Sequence, residues 1–240
     1  MRWVETQPRK IEIFAASIGR TQFGGYGTKS VRAQRTAFKV SATGNGSSTG
    51  LRLYTNPKSR GKIVEWYLQE LDLDYEPVHV DLAKKEHKSP AFLQINPLGK
   101  LPALVDGDFK LYESGALLLY LADKYGGSNT SESRAVAAQW TLFANSTMGN
   151  AIFIEAFRDK QMPAVMDALN TQLADHPYLL GSTFTVADVA VGGYLLYIPL
   201  FFPQMELSPW PAVMQYIHKL QERPACRNTV AAPLVDSELI

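Results

Sequence analysis

Asn96-Pro97-Leu98-Gly99-Lys100-Leu101-Pro102-Ala103-Leu104-Val105-Asp106-Gly107-Asp108-Phe109-Lys110-Leu111-Tyr112-Glu113-Ser114 holds the densest local signals in the chain. Two short apolar runs, residues 101–105 and 109–112, flank Asp106-Gly107-Asp108, and Asp-Gly between apolar runs marks a β-hairpin. Pro102 sits at the start of the first run, and an X-Pro bond is the one peptide linkage that adopts cis at modest cost. From Ser114 the period changes. Leu117, Leu118 and Leu121 fall on one helical face through residue 125, and Gly126-Gly127 stop the helix.

Upstream, residues 51–54 alternate as a strand and end at Asn56-Pro57. Ile63, Trp66, Tyr67 and Leu71 then give a helical stripe over residues 62–71, and residues 75–80 read as a second strand. A charged loop over 81–90 leads to a short helical turn at 92–95, closed by Asn96-Pro97. The order over 51–127 is β-α-β-α-β-β-α. Downstream no strand pattern survives. Residues 135–148, 162–174, 186–200 and 211–223 read as helices, with Thr185 and Asp188 as a cap and its reciprocal acid. The expected architecture is an α/β domain over 51–127, a linker over 128–134, an all-helical domain over 135–230 and a tail over 231–240.

The chain has 240 residues and a formal net charge of +1, which gives no reason to expect nucleic acid. That balance hides an asymmetry. Residues 1–49 carry Arg2, Arg9, Lys10, Arg20, Lys29, Arg32, Arg35 and Lys39 against only Glu5 and Glu12, and the rest of the chain is mildly acidic. A basic, hydroxyl-rich, acid-poor leader over 1–50 has the composition of an organelle transit peptide. Ser30-Val31-Arg32-Ala33 and Val40-Ser41-Ala42 resemble plastid processing sites, so a chloroplast destination is expected, with the cytoplasm as the alternative. The longest uncharged run, 189–205, is broken by glycines and prolines and reads as a buried helix rather than a membrane span. The single cysteine, Cys226, excludes an internal disulfide, a cysteine-rich metal site and a CxxC redox pair.

Three segments carry a family resemblance: Glu86-His87-Lys88-Ser89-Pro90, the run from Asn96 to Leu104, and Tyr112-Glu113-Ser114. In this order and spacing they resemble the soluble glutathione transferases, most closely the plant phi class and the cyanobacterial-type chi class. Val186-Ala187-Asp188 and Pro209-Trp210-Pro211 match the family's helical half, so the likeness covers roughly residues 51–228. It implies a thioredoxin-like N-terminal domain followed by an all-helical domain, and a homodimer. It also implies conjugation of glutathione, as co-substrate and without a further cofactor or metal, to a small hydrophobic electrophile.

The resemblance also implies roles for residues. Leu101, before a cis Pro102, would pair with the cysteinyl backbone of glutathione. Ser114 opens a helix, where free N–H groups and the helix dipole favour the γ-glutamyl carboxylate, and Glu113 offers a charge to the ammonium. Simple helix capping by Ser114 is the competing reading. His87, Lys88 and Lys100 would face the glycyl carboxylate, although the same residues compose an ordinary solvated loop. Family members place Tyr, Ser or Cys after the first strand to address the sulfur. Here the 56–61 turn holds Ser59 and no cysteine, so a serine-type enzyme is expected and thiol transfer is disfavoured. Helix N-capping by Ser59 competes evenly, and Tyr54, Thr55 and Arg60 stay open for the same role. Phe143, Met148, Phe153 and Phe157 are candidates for an apolar cleft, with helical core as the favoured reading.

Overall fold

The computed structural model describes residues 50–235. The expected transit peptide with its processing sites, and the last residues of the expected tail, lie outside the described residues.

Strand β1 (Leu51–Thr55) is followed by α1 (Gly61–Glu70), β2 (Glu76–His79), α2 (Pro90–Leu93), β3 (Ala103–Asp106), β4 (Phe109–Tyr112) and α3 (Ser114–Lys124). The sheet order is β2-β1-β3-β4, with β1 parallel to β2 and antiparallel to β3, and β3 antiparallel to β4. This is the thioredoxin-like arrangement of the family. The β1–α1–β2 crossover makes the parallel pair, and Asp106-Gly107-Asp108 makes the hairpin. Gly107 takes φ +60°, a value that suits glycine there. The first hairpin strand begins at Ala103 rather than at residue 101, because Pro102 has no N–H to give the ladder.

The helical half runs α4 (Ser131–Leu142), a π-helical segment (Phe143–Met148), α5 (Gly149–Phe153), α6 (Glu155–Leu173), α7 (Val186–Phe201), α8 (Pro211–Gln221), α9 (Pro224–Arg227) and α10 (Ala232–Val235). Three boundaries depart from expectation. Helix α4 starts at Ser131, inside the stretch read as linker, because Thr130 and Ser133 form a capping box there. Helix α6 starts seven residues before the expected 162, since its first turns are mostly exposed and show no apolar stripe to read. Helix α10 falls in the stretch read as tail.

The two halves share one core. Leu53, Ile63, Trp66 and Leu117 belong to the same buried cluster as Met148, Leu169, Val189 and Leu196. One close approach is at α7, where glycines 192 and 193 lie against α1. A Cβ on Gly193 would come within 2.8–2.9 Å of three atoms of the Ile63 side chain, and one on Gly192 would stand 2.3 Å from Leu220 Cδ1. One buried carboxylate and one half-buried ion pair finish the helical half. The Asp188 carboxylate accepts from the backbone of Leu179 (2.9 Å) and Thr185 (2.8 Å) and from the Tyr216 hydroxyl (2.9 Å). Arg223 clamps Glu70 through Nε (2.7 Å) and Nη2 (2.5 Å), tying the end of α1 to the loop before α9.

Candidate active site

Strand register decides which loops meet. Ala103 lies between Tyr54 on β1 and Tyr112 on β4, while Thr55 at the end of β1 stands beside His79 at the end of β2. One end of the sheet therefore collects the turn after β1 with Ser59, the loop after β2 with His87 and Lys88, the Leu101-Pro102 step before β3, and Glu113–Ser114 after β4. Every residue that the sequence singled out for glutathione belongs to this end.

The details differ from residue to residue. The Leu101-Pro102 bond is cis, as expected. Glu113 takes φ 73°, ψ 117°, a conformation that L residues rarely adopt and that costs about 1–3 kcal/mol. Its exposed carboxylate makes no hydrogen bond or ion pair among the described residues. Ser114 is 3% exposed and is the first residue of α3, not its cap. The cap position is Glu113, and no side chain closes it. Simple capping thus does not account for Ser114.

His87 and Lys88 form one turn of 3-10 helix, held against the loop that carries Lys100. Lys88 Nζ donates to the Leu98 carbonyl (3.1 Å), and Asn96, 1% exposed, donates to the Lys100 carbonyl (2.8 Å) while accepting from Leu98 N–H (3.0 Å). Gly99 makes this contact possible. It takes φ +58°, and a Cβ there would lie 2.7 Å from the His87 carbonyl and 2.8 Å from Lys88 Nζ. Among the described residues, the buried Nδ1 of His87 has no partner. Lys100 is exposed.

The turn after β1 is built from its own polar groups. Ser59 Oγ donates to the Asn56 carbonyl (2.8 Å) and accepts from the N–H groups of Gly61 (3.1 Å) and Asn56 (3.3 Å). The cap position of α1 is Arg60, so Ser59 closes the turn rather than capping the helix in the usual sense. Thr55, fully buried, donates to Glu65 (2.7 Å), whose other oxygen meets Lys62 Nζ at 2.5 Å.

A cavity of about 920 Å³ opens beside this turn. One wall is residues 57–60 with Lys62. The other comes from Asn145, the segment 149–154, α7 and residues 229–233. Phe153 lines it, as the apolar-cleft reading had it. Phe153 also packs on the core, as Phe143 does; Met148 is fully buried in it, and Phe157 is exposed, so the core reading holds for all but Phe157. Sequence reasoning missed Tyr194, Tyr197 and Asn145. Arg60 Nη1 donates to the Tyr194 hydroxyl (2.8 Å), which donates to Asn145 Oδ1 (2.7 Å), and Tyr197 donates to the Ser59 carbonyl (3.4 Å). Burial pushes the Tyr197 hydroxyl far above its usual range, although the Arg60 charge opposes this, so it stays protonated. One signal was available: these two tyrosines carry the only hydroxyls in the uncharged run 189–205.

Residues 49–123 match the glutathione S-transferase N-terminal domain model and residues 137–228 the C-terminal domain model. The chain belongs to the glutathione S-transferase family. Among its relatives is Glutathione S-transferase 3 of Zea mays, 33% identical over 76% of this chain and 94% of that protein. Another is the disulfide-bond oxidoreductase YfcG of Escherichia coli, 30% identical over 72% of this chain and 91% of that protein. A glutathione transferase from Burkholderia graminis, solved with two glutathione molecules bound per subunit, superposes with a TM-score of 0.68. The two are 27% identical, and the match covers 77% of this chain and 89% of that one. Among the described residues no helix is long and apolar enough to cross a membrane.

Proposed function

We propose that this transferase is of the serine type and conjugates glutathione to small hydrophobic electrophiles, with reduction of organic hydroperoxides as a related activity. The observation that carries the reading is the convergence of Pro102, Glu113–Ser114, the His87–Lys88 turn and Ser59 at one sheet end, beside a large cavity with aromatic walls. Glu113 would take the ammonium of glutathione, Ser114 and the α3 N-terminus the γ-glutamyl carboxylate, and the Leu101 backbone the cysteinyl unit. His87, Lys88 and Lys100 would take the glycyl carboxylate. The strained backbone of Glu113 supports this, because strain of that kind is kept where a side chain must be aimed.

Ser59 would donate its hydroxyl to the bound sulfur by turning it from the Asn56 carbonyl. A free thiol is only ~3% ionised at pH 7, so lowering its pKa by two units raises the thiolate fraction at most ~25-fold. Chemistry through a protein thiol is disfavoured, since burial pushes the only cysteine, Cys226, up to about 12. The engaged Ser59 hydroxyl favours one other reading, a glutathione or apolar-ligand carrier without turnover. The reading extends to a homodimer, to function without a further cofactor and, from the leader's composition, to the chloroplast.

Retention on immobilised glutathione, followed by assays with a chlorinated aromatic, an isothiocyanate and a hydroperoxide, tests the proposal. Retention without turnover of any of the three would replace the enzyme by the carrier. Ser59→Ala should lower kcat/KM ~10–25-fold at pH 7, with the deficit shrinking above pH ~8.5, where free thiol ionises unaided. Superimposable pH profiles would remove Ser59 from the mechanism.

A further inference from the structure

Among the described residues, the cavity carries a charge that its lining does not balance. Lys58, Arg60 and Lys62 line it, and no described Asp or Glu does. Glu65 neutralises Lys62 at 2.5 Å, whereas neither Lys58 nor Arg60 has an ion-pair partner among the described residues. One bound thiolate leaves one of these two cations uncompensated.

Arg60 is also held in place. Its backbone is the cap of α1, and its Nη1 is fixed by the Tyr194 hydroxyl, whose own proton is spent on Asn145. A guanidinium has five N–H donors in a rigid planar fork, and among the described residues only Nη1 has a protein partner. The free Nε–Nη2 edge has the spacing that matches two carboxylate oxygens, an arrangement a single sulfur atom cannot use. Because Tyr197 stays protonated, no competing anion arises beside it. Past this polar end the walls are apolar, with Phe153, Leu200 and Phe201.

Resting on the reading of this cavity as the second-substrate site, we propose that it selects electrophiles that join an apolar body to a carboxylate. Arg60 receives the carboxylate, and Tyr194 and Asn145 act as its positioning residues. With 4-(chloromethyl)benzoate as the example, the thiol proton goes to solvent and the sulfur–carbon bond forms as the carbon–chlorine bond breaks. Chloride leaves with the bonding pair, and the carboxylate is unchanged.

The test separates binding from turnover. Calorimetry with the unreactive pair 4-butylbenzoate and 4-butylbenzamide, with and without glutathione, should show the wild type preferring the benzoate about tenfold, less so as salt rises. Arg60→Met should abolish the preference, and Arg60→Lys should restore only part of it, since the point charge returns without the fork. Tyr194→Phe, which frees the guanidinium, should fall between wild type and Arg60→Met. Equal affinity for the two ligands in the wild type, or an unchanged preference in Arg60→Met, would overturn the inference. Displacement of the benzoate by excess glutathione would also overturn it, by assigning the position to a second glutathione. In the second arm, 4-(chloromethyl)benzoate should be turned over with a lower KM than its methyl ester. If neither is turned over, conjugation is refuted, while the calorimetry still decides the carboxylate site.

Discussion

Replacing Gly61 by alanine tests how the turn that carries Ser59 is packed. Gly61 is the first residue of α1, and its backbone is helical, so the substitution carries no conformational penalty and should by itself gain about 0.4–1 kcal/mol. The surroundings reverse that sign. The new Cβ would lie 2.2 Å from Thr55 Oγ1 and 2.9 Å from Ser59 Oγ. Thr55 has nowhere to go: it is fully buried and donates to Glu65, itself only 7% exposed. Displacing it breaks a buried hydrogen bond to a charged group, about 1.5–3 kcal/mol. Overpacking adds about 1–3 kcal/mol. After the helix gain, a net loss of about 1.5–5.5 kcal/mol is expected, which lowers Tm by roughly 3–22 °C for a chain of this size. Thermal and urea unfolding read it. The attribution is checked by a double-mutant cycle: with Thr55→Ala already present the 2.2 Å contact has gone, leaving only the milder approach to Ser59 Oγ, and Gly61→Ala should cost clearly less than it does alone. A single variant as stable as wild type, or a cost that persists unchanged beside Thr55→Ala, would refute the geometry argued for this turn.

Three further outcomes are expected. Asp188→Ala leaves two backbone N–H groups and the buried Tyr216 hydroxyl without their acceptor, so stability should fall by about 3–5 kcal/mol in urea unfolding; Asp188→Asn, which keeps the shape and one acceptor oxygen, should lose roughly half of that. Cys226 should not react with a thiol reagent at pH 8 until the protein unfolds. Because burial pushes its folded pKa up to about 12, well above that of a free thiol, the unfolded chain loses that proton first, and the contribution of Cys226 to stability should be complete below about pH 8.5 and decline as pH climbs toward 12. Gly99→Ala forces a residue with a Cβ into φ +58° against the His87 carbonyl, so retention on immobilised glutathione should weaken more than the thermal midpoint falls.

What could be read from the sequence follows from how local each determinant is. The hairpin, the Leu101-Pro102 step, the start of α3 and the Thr185/Asp188 cap are each written in a few consecutive residues, and the structure places all of them as expected. Gathering the glutathione-facing residues at one sheet end needed strand register as well, and there the family resemblance stood in for geometry. The Arg60–Tyr194–Asn145 chain was not legible. Its members lie 134 and 49 positions apart, and nothing near any of them marks it. Asn145 reaches the cavity from a π-helical segment, a winding that an apolar period of 3.6 does not foretell. The start of α6 stayed hidden for another reason: its first turns bury little, and Pro163 inside the helix reads as a breaker. For Ser59 the sequence supplied a hydroxyl in the turn after β1 but not the Asn56 carbonyl that already holds its proton.

The two bare positions on α7 bear on how such proteins diversify. Ile63 stands four residues after Ser59 on α1, and Tyr194 follows Gly193 on α7, so the contact between Ile63 and Gly193 registers the Ser59 turn against the wall that holds Arg60. A lineage that exchanged its C-terminal half by recombination would have to bring in a helix equally bare at 193, or change Ile63 in the same event; Gly192 and Leu220 would travel together. Crossovers near residue 127 should therefore yield folded chimaeras mainly when donor and recipient agree at 63 and 193. The α7 wall of the cavity is then inherited with a matching N-terminal half, and new cavity shapes should arise by point changes around its mouth rather than by swapping halves.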